Sequence, residues 1–140
     1  MRQILLFAAL AASLALLSGC ALSRAKEDKA EDMTGKAAYH KISAEEAYEM
    51  MASQEIVVVD VRTQEEYDGG HIENAVLVPN ESIVSEMPEA PPDKEATLLV
   101  YCRSGRRSKD AAEKLLALGY QSVYDFGGVI DWPYELVKEG

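Results

Sequence analysis

Cysteine is scarce in this 140-residue chain: there are two, Cys20 and Cys102. So few sulfurs cannot build the disulfide framework of a small secreted scaffold. Histidine is equally rare, and two histidines with one free thiol show no ligand spacing, so no metal and no cofactor is expected. Basic residues number 14 against 24 acidic ones, a net charge of −10, which argues against nucleic acid or an anionic lipid surface as the main partner. Internal repeats are lacking. No apolar run reaches the roughly 20 residues that a spanning helix needs. What remains is one globular domain of ordinary composition.

The longest apolar stretch, Ile4 to Leu17, follows Arg2 and matches the core of a signal peptide. Its end, Leu17-Ser18-Gly19-Cys20, resembles the lipobox of bacterial lipoproteins. That resemblance implies cleavage after residue 19, lipid on the Cys20 sulfur and a domain held on the extracytoplasmic side of a membrane. Ala21 in place of the retention aspartate would place it on the outer membrane, facing the periplasm, in a Gram-negative host. Residues 20–39 then form a tether with balanced charges and few large apolar side chains. With Cys20 consumed, Cys102 has no partner in its own chain.

From residue 40 to 140 the pattern alternates between strand and helix. Ser43 with Glu46 and Thr63 with Glu66 are capping boxes, each opening a helix. Ile56-Val57-Val58-Val59 and Thr97 to Tyr101 are continuous apolar runs suited to strands buried on both faces. Ala75 to Val78 is a shorter strand stopped by Pro79, and Asn80 caps a helix expected through about Met87. Ala111, Ala112, Leu115, Leu116 and Leu118 share one helical face that ends at Gly119. Ser122 to Phe126 is a last strand, followed by Gly127-Gly128 and a closing helix from Trp132 to Val137. This order predicts an α/β fold, a small parallel-type sheet flanked by helices on both faces. Ligands bind beyond the carboxyl ends of such strands, where Cys102 and Asp60 are both expected to face one crevice.

The segment Tyr101-Cys102-Arg103-Ser104-Gly105-Arg106-Arg107 concentrates one cysteine and three arginines in an acidic chain. A strand that delivers cysteine into a glycine-containing loop opening a helix predicts an anion nest. Backbone N–H groups of residues 103–107 and the helix dipole would converge above the sulfur. Both favour thiolate, the nucleophilic form.

At these residues the sequence resembles the rhodanese family of sulfurtransferases. CRSGRR resembles the family's six-residue active-site loop. VVVDVRTQEEYDGGHIENAVLVP resembles its upstream signature, and FGGVIDW its glycine pair followed by Trp132. The resemblance covers about residues 40 to 140, with Asn74 standing where the family usually has glycine. It implies Cys102 as catalytic nucleophile, forming a persulfide with sulfur from a thiosulfate-like anion and passing it to a thiol or cyanide. Arg103, Ser104, Gly105, Arg106 and Arg107 would bind substrate, and Asp60 with Arg62 would be a supporting ion pair.

Blander and rival readings stand beside this one. The arginines could merely keep the loop soluble, and His71, Tyr124 and Trp132 are most simply structural. A phosphatase or arsenate reductase needs Cys, five residues, then Arg; here that position is Ser108, and Arg107 falls one place early. A non-enzymatic sulfur- or anion-binding module would not need Cys102, and a thiol-redox partner would want a second cysteine.

Overall fold

In the computed structural model residues 37–84 and 93–138 are described. The signal peptide, Cys20, nearly all of the tether and the far end of the helix expected toward Met87 lie outside the described residues.

Strands β1 (Ala38–Lys41), β2 (Val57–Asp60), β3 (Val76–Leu77), β4 (Thr97–Cys102) and β5 (Ser122–Gly128) form one parallel sheet in the order β1-β5-β4-β2-β3. The apolar runs read as strands buried on both sides, and they are. Val59, Leu98, Val100 and Cys102 enter one core with Ala111, Ala112 and Leu115 of helix α3 (Arg106–Ala117). Val58, Leu99 and Tyr101 enter the other with Ala47 of helix α1 (Ala44–Ser53) and Tyr67 of helix α2 (Gln64–Asp68). Strand side chains alternate across the sheet, so one continuous sequence run feeds both layers. Ser43 and Thr63 cap their helices as expected, each bonding reciprocally with the glutamate three residues on. Asn74 sits at φ 62, a left-handed conformation that asparagine tolerates better than most residues.

Three elements differ from the sequence reading. Residues 38 and 39, assigned to the tether, belong to β1, whose AYHK segment has no apolar alternation because an edge strand is only half enclosed. Asn80 caps no long helix. Its amide donates to Asp110 (2.9 Å), and both its carbonyl oxygens accept from Lys114 (3.2 Å each). With its side chain committed to α3, only a 3₁₀ turn (Asn80–Ser82) forms before Ile83 enters the core. The closing helix is also replaced, by a 3₁₀ turn (Val129–Asp131) and an extended tail. Pro133 disfavours helix at the residue before it, and Val137 pairs antiparallel with His71 through bonds of 2.9 and 2.8 Å.

The loop after β2 holds a buried polar knot. Asp60 takes the Arg62 guanidinium at 2.6 Å and 2.9 Å, and Tyr101 Oη donates to the same carboxylate at 2.6 Å. Arg62 also donates to the carbonyl of Gly70 (2.8 Å), so the pair closes the loop after β2 onto the chain entering β3. Both side chains are buried. Removing one partner from such a pair leaves an uncompensated charge. Arg62→Ala is expected to destabilise the domain by about 3–5 kcal/mol in urea unfolding, and Asp60→Asn by a similar amount, because it leaves the buried Arg62 charge unpaired and turns an amide NH2 toward groups that all donate.

Candidate active site

Strand β4 ends at Cys102, whose side chain is buried in the α3-side core. Three residues later Gly105, at φ 104, turns the chain into α3. A left-handed turn of this kind costs glycine nothing and a side-chain-bearing residue about 1 kcal/mol or more. It brings the Gly105 N–H to 3.0 Å from the Cys102 sulfur.

Burial alone would raise the Cys102 thiol, and it is the strongest influence on it. Hydrogen bonds from the Ser108 backbone and hydroxyl, then from the backbone of Gly105 and Ser104, outweigh burial and hold the thiol below its ordinary value. Of the nest expected from residues 103–107, the Gly105 N–H lies at hydrogen-bond distance from the sulfur, and the backbone of Ser104 also lowers the thiol. Ser108 is the residue that sequence reasoning missed as a participant. It is wholly buried, and its hydroxyl lies 3.0 Å from the Gly105 carbonyl and 3.3 Å from the Gly127 carbonyl. The available signal was a small hydroxylic residue three positions after the turn glycine, where the first helical turn faces back on the sulfur.

The three arginines divide. Arg103 and Arg106 are exposed at the rim. Arg107 makes a two-pronged pair with Glu66 of α2, both bonds 2.8 Å, tying the start of α3 across the site to α2. Its charge is partly spent there, although it still feels the Cys102 thiolate.

Asp60 does not share the crevice with Cys102, contrary to expectation. Its register partner is Tyr101, and both face the α1-side core, while Cys102 points to the α3 side. Period-two alternation puts neighbours in sequence on opposite faces, so a carboxylate level with Tyr101 cannot also face residue 102.

β5 supplies the floor. Val100 pairs with Asp125 but Tyr101 pairs with Gly127, so Phe126 is the extra residue of a β-bulge. Beyond the bulge Gly128 lies under the loop. A Cβ there would come within 2.3 Å of the Arg103 carbonyl oxygen and 2.6 Å of the Ser104 Cα. Among the described residues Cys102 has no disulfide and no group of side chains could hold a metal.

The fold is a parallel α/β sheet whose central strand delivers a cysteine into the loop that opens a helix. Residues 43–133 match the Rhodanese-like domain family. The chain belongs to that family. Its relatives include the tRNA uridine(34) hydroxylase of Yersinia pestis, 31% identical over an alignment of 106 positions that covers 72% of this chain and 30% of that protein. The chain thus spans under a third of the curated relatives it matches. Among solved structures, a rhodanese-like domain protein from Staphylococcus aureus superposes with a TM-score of 0.64 at 30% identity, covering 72% of this chain and 99% of that one. An Escherichia coli rhodanese solved with anions gives 0.56 at 35% identity, over 61% and 100%. A human single-domain sulfurtransferase gives 0.60 at 25%, over 66% and 93%.

The Arg107 bond, with help from Thr63, holds the Glu66 carboxyl at about 2 against an ordinary 4.5. A depressed carboxylate contributes stability that is complete above its unfolded value and is lost as pH falls through the folded one. Glu66→Gln keeps the cap on Thr63 and removes the charge. It is expected to cost about 1 kcal/mol at neutral pH. Thermal unfolding of the two proteins should converge as pH drops from 4.5 toward 2.

Proposed function

We propose that this chain is a sulfurtransferase that carries sulfane sulfur on Cys102. The observation that carries this reading is the buried sulfur at the end of β4, accepting from the Gly105 N–H at 3.0 Å at the entry to α3, with its thiol held below the ordinary value. The thiolate attacks the outer sulfur of a thiosulfate-like anion. A new S–S bond forms to Cys102, the donor's S–S bond breaks, and sulfite leaves with the electron pair. The persulfide anion inherits the donors that held the thiolate, in the manner of an oxyanion hole. A thiol or cyanide then takes the terminal sulfur and returns the thiolate. Arg103 and Arg106, exposed at the rim, attract and orient the anionic end of the donor; Arg107 sets the loop against α2.

The loop size favours this over phosphate chemistry. The sixth position after the cysteine, where a phosphatase loop requires arginine, is the wholly buried Ser108, and α3 has already begun at Arg106. The relatives that modify tRNA act on a polyanion, which a chain of net charge −10 is poorly suited to receive. Neither nucleic acid nor a metal enters the reading.

Thiosulfate is expected to add one sulfur atom to the intact mass, and cyanide to remove it as thiocyanate. Cys102→Ser should gain none. A wild-type protein that gains no sulfur without reductant present, or that hydrolyses aryl phosphates through Cys102, would overturn the assignment.

We also propose export, cleavage before Cys20 and lipid anchoring, supported by the Leu17-Ser18-Gly19-Cys20 motif. A lipoprotein cysteine carries at least two acyl chains, and two suffice for stable attachment where one is marginal. Cys20→Ser should abolish lipid labelling and leave a precursor or a soluble form. A variant that labels and fractionates like wild type would make the motif accidental.

A further inference from the structure

Asp125 is a buried carboxylate on β5, 1% exposed, that no step of sulfur transfer uses. Its oxygens are divided between two tasks. Oδ1 accepts from the Gly127 N–H at 2.8 Å, an amide that sits in the bulge where the ladder is interrupted. Oδ2 accepts from the Tyr39 hydroxyl at 2.8 Å and lies 3.3 Å from Lys41 Nζ, both on the edge strand β1. From Gly127 the contacts continue to the reacting atom. Its carbonyl meets the Ser108 hydroxyl at 3.3 Å, and its Cα would lie 3.6 Å from a Cβ on Gly105. The Gly105 N–H donates to the Cys102 sulfur at 3.0 Å, and the same Ser108 hydroxyl donates to the Gly105 carbonyl at 3.0 Å, so Ser108 joins the Gly127 bulge to the peptide that holds the sulfur.

We infer that Asp125 is a positioning residue for the sulfur-transfer reaction, fixing the Gly127 bulge so that Ser108 and Gly105 stay aimed at Cys102. The inference rests on the sulfurtransferase reading above. A bulge alone does not hold Gly127 at φ 90; the carboxylate supplies the acceptor that its N–H would otherwise lack. Tyr39 and Lys41 lock the carboxylate's rotation from the far side, so the edge strand reaches the loop without touching it. What Asp125 contributes at Gly127 is an acceptor rather than a charge. An asparagine can keep the Oδ1 bond to Gly127 and an alanine cannot.

Alkylation of Cys102 by iodoacetamide against pH reads the aim of the donors without requiring sulfur transfer. Arg103 and Arg106 of the loop, Arg107 with its partner Glu66, and Glu81 are charges that also act around this end of α3, and they are unchanged in every variant. Asp125→Ala is expected to move the midpoint of the alkylation profile up by about one pH unit, a rate about tenfold lower on the acid limb. Sulfur uptake from thiosulfate should slow in parallel. Asp125→Asn should keep the wild-type profile within about twofold while losing the Lys41 ion pair. A folded Asp125→Ala protein with the wild-type profile overturns the inference, as does an asparagine variant shifted as far as the alanine one. If alanine prevents folding, Gly127→Ala disturbs the same bulge with Asp125 intact, the added Cβ meeting only the movable tip of Lys41 at 3.1 Å. It should show the same upward shift, and an unchanged profile overturns the inference. Wild type that alkylates at low pH but takes no sulfur from thiosulfate refutes the transfer reading alone and leaves the positioning legible.

Discussion

The site depends on backbone lying directly against backbone where β5 passes beneath the Cys102 loop. At Gly128 there is no room for a single carbon beyond the main chain, since the Arg103 carbonyl already occupies that space. The same carbonyl accepts the Ile130 N–H at 3.2 Å, which commits one of the loop's oxygens to the 3₁₀ turn that follows β5. With that oxygen engaged, the N–H groups of the following peptides are available to the sulfur. A thiolate held by oriented amides needs no carbonyl nearby to oppose it. The bulge, the two glycines and the left-handed Gly105 are thus parts of one packing solution.

That solution explains how an acidic protein can favour an anion at its reactive centre. The donors lowering the Cys102 thiol most are neutral backbone N–H groups and one hydroxyl. Such dipoles act at contact distance and are little screened by salt, unlike charges separated by solvent. The arginines then have other work. Arg107 braces α3 against α2 through Glu66, and Arg103 and Arg106 stay at the surface as a local basic rim in a field of opposite sign.

Much of this architecture was legible in the chain. Capping boxes at Ser43 and Thr63, the apolar runs of β2 and β4 and the amphipathic face of α3 are local signals, and each element formed where it was read, with ends shifted by a residue. The errors arose where a partner distant in sequence decides the outcome. β1 is a strand because β5 offers it an edge, not because AYHK prefers one. Asn80 gave up a cap for Asp110 and Lys114. The tail after Trp132 is extended because His71 pairs with Val137. At the site, the cysteine, the glycine and the basic loop were visible as a motif. The face on which Asp60 points and the depth of Ser108 were not, because both follow from sheet register and from the bulge at Phe126.

The order of the strands has a consequence in time. β1, made first, has one neighbour in the sheet, and that neighbour is β5, made last. Pairings between distant segments close late, after the entropy of the intervening chain has been overcome. Until β5 arrives Tyr39 and Lys41 have no Asp125 to hold, and the loop at Cys102 has no glycine floor. A nascent or unfolded chain therefore carries residue 102 as an ordinary cysteine, slow to react at neutral pH. The lowered thiol is a property of the finished sheet, so residue 102 stays dormant until the last strand has docked.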